Sequence, residues 1–315
     1  MKICKKEIGD LLIDAHTHCG FNPWSFYNIK YPSLQHATFL SQLIKKNDIA
    51  FAITFPMSTT LYYDIELYSQ GIFKQSNFGL FPFEKENLYL LSEIKSFNLK
   101  NIIPFCSISL NDKVDEQISN IENLLKTFDV YGLKFHPRGD CNCVKIIDKY
   151  PKLLNLLEEN NLPLMVHTGL DKFSNPLYVL EMAKKYPNIR FCAAHLAKFI
   201  LKFFEEIDRD NFDNLFIDMS PFIGLCKRRG VESKNRNEIL DLDYGNISEI
   251  FDFFTTKYID KVIWGTDAPW LNVSDLIKFY DDDFITYQDE VKILTKNKLI
   301  AKKIANANTV KFLFG

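Results

Sequence analysis

No Cys-x-x-Cys pair occurs among the seven cysteines, Cys4, Cys19, Cys106, Cys141, Cys143, Cys192 and Cys226. That excludes a zinc ribbon or a thioredoxin-type motif and leaves Cys141 and Cys143, one residue apart, as a weak metal or redox signal. Glycine and proline are scarce, twelve of each in 315 residues, so no low-complexity linker hides in the composition. An excess of one charge is also missing: 38 basic side chains face 40 acidic ones, and the formal net charge is −2. No global field therefore attracts nucleic acid or an anionic membrane. No apolar run approaches the roughly 20 residues that span a bilayer. The opening MKICKKEIGDLLIDAH begins basic, but Glu7, Asp10 and Asp14 interrupt it, unlike a signal peptide. The expectation is a soluble cytoplasmic protein with free thiols and neither nucleic acid nor membrane as partner.

What is present is ordinary globular composition, 47% apolar and 25% charged. Short apolar runs alternate with longer helical stretches. The runs are 11–18 (LLIDAHTH), 49–56 (IAFAITFP), 101–109 (NIIPFCSIS), 130–137 (VYGLKFHP), 162–169 (LPLMVHTG), 188–195 (NIRFCAAH), 214–220 (NLFIDMS) and 261–269 (KVIWGTDAP). Near-continuous apolar runs ending in a polar or turn residue suit parallel strands buried on both faces. Helices are expected over roughly 33–46, 112–128 behind an Asp112 cap, 144–160 with a break at Pro151, 175–186 and 247–258. Eight such units close most naturally into a single-domain (β/α)8 TIM barrel spanning 1–315. An open doubly wound sheet is the rival, but it would favour a glycine-rich turn after the first strand, where this chain has His-Thr-His. Two connections are too long for simple turns: 57–83, rich in Tyr and Phe, and 222–243, with Lys227, Arg228, Arg229, Lys234 and Arg236. The first reads as a lid or as packing against the rim or a neighbouring subunit, the second as a solvated face.

Five of the six histidines (His16, His18, His136, His167 and His195, but not the helical His36) fall at or near a strand's C-terminal end. In a parallel barrel those ends ring one mouth. Alternation puts His16 and His18 on one face, about 6.6 Å apart at the strand rise, and two imidazoles so placed can share a metal. His167, His195 and Asp267 end three further strands. Buried imidazoles and a carboxylate gathered at one mouth need a compensating charge, which a divalent cation supplies.

The motifs IDAHTH, GLKFHP, VHTG, AAHL and WGTDAP, in that order and one per strand end, resemble the amidohydrolase superfamily. They are most similar to its amidohydrolase-related branch, which includes aminocarboxymuconate-semialdehyde decarboxylase and many metal-dependent hydrolases. The closing IANANTVKFLFG resembles that branch too, so the likeness runs from Ile13 to Gly315. The resemblance implies one divalent ion, most simply Zn2+, held by His16, His18, His167 and Asp267, with His195 beside it. Asp267 is then placed to take a proton from metal-activated water, and His195 to stabilise charge on a substrate oxygen. Asp14 reads equally as support for a ligand imidazole or as a structural carboxylate. Lys134 is either a carbamate bridging two ions, as in binuclear relatives, or, with His136, a contact to an anionic substrate. Arg138 is either a bidentate carboxylate grip or a solvated arginine. Cys19 reads as packing, and Trp264 and Trp270 flank Asp267, one of them a candidate pocket wall. The activity expected is hydrolysis of a C–N or C–O bond in a small carboxylated or cyclic molecule. The alternative is non-oxidative decarboxylation of an aromatic or unsaturated acid. Homo-oligomerisation is suggested by the resemblance and the aromatic insertion.

Overall fold

The computed structural model describes residues 3–232, 238–271, 274–275 and 284–315. Its strands are β1 (Ile13–Phe21), β2 (Lys30–Tyr31), β3 (Leu34–Gln35), β4 (Phe51–Pro56), β5 (Ile102–Pro104), β6 (Cys106–Ile108), β7 (Leu133–Phe135), β8 (Leu164–Val166), β9 (Phe191–Ala193), β10 (Leu215–Asp218), β11 (Val262–Ile263) and β12 (Ser274–Asp275). One sheet has the order β3-β1-β4-β5 and a second the order β11-β10-β9-β8-β7-β6, while β12 pairs with β2. The second sheet is parallel throughout. In the first, only β3 runs antiparallel to its neighbour. The chain is thus a mixed α/β fold built on parallel strands, whose ladders among the described residues do not join into one closed ring.

Two seams lie between the sheets. The expected third strand is split at Phe105, whose N–H donates to Thr54 O at 2.8 Å while Tyr131 N–H reaches Pro104 O at 3.0 Å. At the other seam Ala15 N–H donates to Trp264 O (3.0 Å), Asp267 N–H to His16 O and His18 N–H to Ala268 O (both 2.7 Å). Isolated bonds, not a ladder, join β1 to the segment after β11.

Alternation along the strands produces two apolar layers. Ile13, Ala15, Ile53, Phe55, Ile103, Phe105, Met165, Cys192, Phe216 and Ile263 form an inner cluster. Their sequence neighbours, including Ala52, Leu164, Phe191, Leu215 and Val262, pack outward against the helices. Burial on both faces is why the strands read as unbroken apolar runs.

The helices largely follow their periodicity: Ala37–Lys46, Val114–Thr127, Pro176–Lys185 and Ile247–Lys257. Val144–Lys149 is a 3-10 turn that gives way at Pro151 to the helix Pro151–Glu159, as the proline requires. Two expectations are corrected. The first helix begins at Ala37 because Leu34 and Gln35 pair with Phe21 and Gly20 of β1. Asp112 is not the cap of Val114–Thr127. Lys113 holds that position, and the Asp112 carboxylate instead accepts the Tyr62 hydroxyl at 2.7 Å. The aromatic insertion carries a short helix, Ile65–Ser69. The later connection is helical over Phe222–Glu232, whereas Lys234 and Arg236 lie outside the described residues.

Gly265 sits where the exit of β11 presses on β1: a Cβ there would stand 2.7 Å from His16 Cβ and 2.8 Å from His16 N. Gly265→Ala is expected to destabilise the fold by about 1–3 kcal/mol, the usual cost of overpacking. It should also displace His16; the loss of stability is checked by denaturant unfolding. Glu290, buried in helix Tyr287–Thr295, accepts Ile223 N–H at 2.9 Å through Oε1, while Oε2 has no hydrogen-bond partner within 3.5 Å among the described residues. Burial pushes its pKa up to about 8. In the unfolded chain it ionises near its ordinary pKa, so the folded state binds the extra proton between those values and loses stability as pH rises through them. Glu290→Gln should flatten that decline, with a smaller Tm drop from pH 5 to 8.5 than the parent protein shows.

Candidate metal centre

His16 and His18 face inward because β1 is bulged. Asp14 pairs with Ala52 and Thr17 with Thr54, so three residues of β1 advance against two of β4. Bulges re-aim side chains. This one leaves Ile13 and Ala15 in the inner cluster yet turns both imidazoles inward, edge-on to Phe55 at 4.8 and 4.5 Å between ring centres. Asp14 consequently does not share their face. Its carboxylate accepts Thr266 N–H (3.0 Å), Thr266 Oγ1 (2.6 Å), the Tyr287 hydroxyl (2.9 Å) and His16 N–H (3.2 Å). It ties β1 to the segment after β11 and never touches an imidazole.

The residue that does orient an imidazole is Asp218, at the end of β10. His16 Nδ1–H donates to Asp218 Oδ2 at 2.7 Å, and the same carboxylate accepts Ser220 Oγ and N–H at 2.6 and 3.0 Å. Sequence reasoning gave Asp218 no role. Its signal was an aspartate closing a strand, in the same position as the histidines of neighbouring strands. With Nδ1 committed, His16 Nε2 carries a lone pair, and His18, whose Nδ1 faces Pro56 O at 3.4 Å, does the same. The two Nε2 atoms stand 3.3 Å apart, and Asp267 Oδ1 lies 3.2 Å from each. Donors 2.0–2.1 Å from a tetrahedral ion are separated by about 3.3–3.4 Å, so this trio has the spacing of ligands around one cation. His16, His18 and Asp267 form one metal-competent group, and His16, His195 and Asp218 a second.

His167 and His195 make an adjoining pair. His195 Nδ1–H donates to Ser220 O at 2.7 Å, which leaves its Nε2 to accept from His167 Nδ1–H at 2.9 Å. His167 Nε2 is then the free acceptor, while His136 stacks on that ring at 4.0 Å. His167 is in neither metal-competent group. His136 Nδ1 accepts Gly139 N–H, capping the short helix Pro137–Asp140. Lys134 is buried, its Nζ 3.3 Å from His16 Nε2 and 4.5 Å from the centre of the Phe55 ring. Arg138 is exposed on the cavity wall.

The electrostatics divide the cluster: His16 is drawn toward its charged form beside Asp218 and Asp267, while burial disfavours charge on the other imidazoles and on Lys134. Burial and Lys134 depress His16, yet Asp218 and Asp267 hold it above its ordinary value. Burial takes His18 down to about 4 and, with Lys134 adding to it, His136 to about 3. His167 and His195 are also held well below their ordinary range, chiefly by burial. For Asp267 burial works upward, but His16, His18 and His195 keep the carboxyl well below its usual range. Burial lowers Lys134 to about 8.

A cavity of about 600 Å3 opens over this cluster, with Tyr68 and Phe73 of the aromatic insertion and Trp270 in its wall. Trp264 is instead buried in the core, as is Cys19, whose thiol burial pushes up to about 12. His36 is remote and bonds the Tyr89 hydroxyl at 2.9 Å.

Comparison with known proteins agrees with this geometry. The family model described as Amidohydrolase matches residues 121–298, more than half of the chain. That span holds Lys134, His136, Arg138, His167, His195, Asp218 and Asp267, while His16 and His18 precede it. No curated protein matches by sequence. Among solved structures, 5-carboxyvanillate decarboxylase from Novosphingobium aromaticivorans, complexed with manganese, superposes with a TM-score of 0.61 at 13% identity, covering 98% of this chain and 97% of that one. A probable 2-pyrone-4,6-dicarboxylic acid hydrolase from Acinetobacter baumannii gives 0.59 at 15%, covering 96% and 99%. A 4-oxalomesaconate hydratase from Rhodopseudomonas palustris gives 0.58 at 14%, covering 96% and 95%. At such identities the superpositions speak for the fold, and the family match speaks for descent: this chain belongs to the amidohydrolase family.

Proposed function

We propose that the protein is a metal-dependent hydrolase that cleaves a C–N or C–O bond of a small carboxylated or cyclic molecule. The observation that carries this reading is the meeting of His16 Nε2, His18 Nε2 and Asp267 Oδ1 within 3.3 Å of one another. His16, His18 and Asp267 would hold one divalent ion, with His167 as a further ligand through Nε2. Zn2+ is the simplest choice for this N/O donor set, and Mn2+ is the ion in one structural neighbour. Such an ion supplies Lewis acidity and activates water near neutral pH.

The chain's own groups supply the remainder. Asp267 accepts one proton from the attacking water and returns it to the leaving nitrogen or oxygen as the water oxygen bonds to carbon and the C–N or C–O bond breaks. His195 sits beside Asp267, its Nδ1 4.0 Å from Oδ2, and stabilises charge developing on the substrate. Lys134, His136 and Arg138 hold an anionic group of the substrate. The seam bonds between β1 and the segment after β11 favour closure of the two sheets into a single-domain (β/α)8 barrel. All seven cysteines are free, in keeping with a reducing cytoplasm. A small molecule is the partner this cavity fits. A second reading, non-oxidative decarboxylation of an aromatic or unsaturated acid, is favoured by the aromatic wall of the cavity.

Elemental analysis of protein replete with metal should give one equivalent per chain, and His16→Ala and Asp267→Ala should lose it. Full occupancy in both variants would refute the ligand set, and two equivalents with a carbamylated Lys134 would refute a single ion. Asp218→Asn should weaken metal binding about 10–100-fold, the usual effect of removing the partner that orients a ligand imidazole, measured by competition with a chelating dye. Assayed on lactones, cyclic amides and hydroxybenzoates, the protein should yield hydrolysis products without CO2. Release of CO2 from the acids alone would replace hydrolysis with decarboxylation.

A further inference from the structure

Five imidazoles gather at the candidate centre, and their ring nitrogens can be followed one by one. His16 turns Nδ1 to Asp218 and Nε2 to Asp267, while His18 turns Nε2 to Asp267 and Nδ1 toward Pro56 O. His195 is engaged at both nitrogens, Nδ1 with Ser220 O and Nε2 with His167 Nδ1. Among the described residues that leaves two ring nitrogens without a hydrogen-bond partner, His167 Nε2 and His136 Nε2. His167 Nε2 is the nitrogen offered to the ion. His136 Nε2 is not accounted for by metal binding.

A backbone partner fixes what kind of nitrogen it is. Gly139 N–H donates to His136 Nδ1 at 3.0 Å, and a nitrogen that accepts carries no proton. The ring is therefore neutral with its proton on Nε2, the opposite tautomer to a histidine that ligates through Nε2. It can donate from that atom and cannot bind a metal there. Close packing enforces the arrangement: a Cβ on Gly139 would stand 3.1 Å from Tyr68 Oη, 3.2 Å from His136 Nδ1 and 3.4 Å from Ser58 O. Tyr68 Oη donates to Gly139 O at 3.0 Å, and Asp140 N–H donates to His136 O at 3.1 Å. The short helix Pro137–Asp140 is thus clamped against the ring. His136 is half-buried in the cavity wall and stacks on His167, with ring centres 4.0 Å apart and 20° between the planes. A neutral N–H held there stands beside the ring of a ligand, where a substrate oxygen drawn toward the ion gathers charge.

We propose that His136 is a catalytic residue whose neutral Nε2–H donates a hydrogen bond to the substrate oxygen on which negative charge develops as water adds. This rests on the reading above that the cavity is the substrate site of a hydrolase, and it gives one ring a part distinct from holding an anion. No proton leaves the imidazole. The hydrogen bond tightens as the carbonyl oxygen gains charge and relaxes when the C–N or C–O bond breaks and the carbonyl re-forms. A donor fixed in advance needs no reorganisation at that moment. Lys134 and Arg138 remain the cations for an anionic substituent.

The test combines two measurements on zinc-replete protein. Long-range nitrogen–proton correlation NMR of the imidazoles at pH 7 should show His136 as the Nε2–H tautomer. An Nδ1–H tautomer or a doubly protonated ring overturns the proposal whatever the protein hydrolyses. With dihydrocoumarin as probe substrate, His136→Phe keeps a ring to stack but has no N–H. It should lower kcat about 100–1,000-fold, the usual cost of removing one such donor, with KM within three-fold of the parent. His136→Gln, whose amide N–H reaches the place of Nε2, should return kcat to within ten-fold of the parent. A kcat within three-fold of the parent in His136→Phe, or a Gln variant no better than the Phe variant, overturns the proposal. Both variants should keep the parent's zinc content and Tm, and a kcat loss that tracks lost zinc assigns His136 a structural part instead. Protein that holds zinc yet leaves dihydrocoumarin intact refutes hydrolysis alone. The donor is then read from acetohydroxamate, whose affinity should fall at least ten-fold in His136→Phe and not in His136→Gln. Equal affinities in parent and Phe variant overturn it.

Discussion

Two imidazole lone pairs and a carboxylate oxygen point at one another across 3.2–3.3 Å, deep in the protein. His16 Nδ1 is turned to Asp218 and His18 Nδ1 toward Pro56 O, so both Nε2 atoms face Asp267, with the Lys134 ammonium 3.3 Å from that of His16. Acceptors facing one another in a low-dielectric interior are costly, and positive charge is what removes the cost. The upward shift of His16 against the pull of burial expresses that same need as affinity for a proton. A divalent ion answers it more completely, because it satisfies all three acceptors at once.

The rest of the fold is arranged to hold those acceptors in place. Parallel strands deliver their C-terminal ends to one side, so His16, Lys134, His167, His195, Asp218 and Asp267 meet although they span most of the sequence. Below them the inner layer is entirely apolar from Ile13 to Ile263, which gives the polar cluster a rigid floor. Phe55 joins the two regimes: it belongs to the inner layer, yet its ring meets both imidazoles and lies under the Lys134 ammonium. Gly265 is the complementary concession, a position with no room for a side chain because β1 carries His16 against it.

Much of this was legible in the sequence, for a definite reason. Strands buried on both faces announce themselves as apolar runs, and a polar residue that ends such a run stands out, so the ring of His16, His18, His136, His167, His195 and Asp267 could be picked out residue by residue. What stayed hidden depends on events one residue long. The bulge between Asp14 and Thr17 reverses the alternation, so a count by twos puts Asp14 on the wrong face. Asp218 was overlooked because an aspartate ending a strand is as often structural as functional, and only the fold shows that it reaches His16 across 202 residues. The Asp112 cap failed because a tyrosine 50 residues away competes for the same carboxylate. In each case a local rule lost to a partner distant in sequence.

Backbone strain marks the same places. Asp267 has φ of 61°, and His195 opens the five-residue left-handed run, although neither position is a glycine. Left-handed conformation costs an L-residue roughly 1–2 kcal/mol, so a run of this length persists only under strong tertiary constraint. The constraint is visible: Leu196, Ala197 and Phe199 are fully buried in the outer core, while His195 is anchored through Nδ1 to Ser220 O. Apolar burial of one side of the turn thus fixes the other side, which carries His195 toward Asp267 and Lys198 toward the cavity. The packing that strains this segment is also what gives the site its pre-set geometry, so relaxing the turn would stabilise the backbone locally while scattering the groups that the cavity needs together.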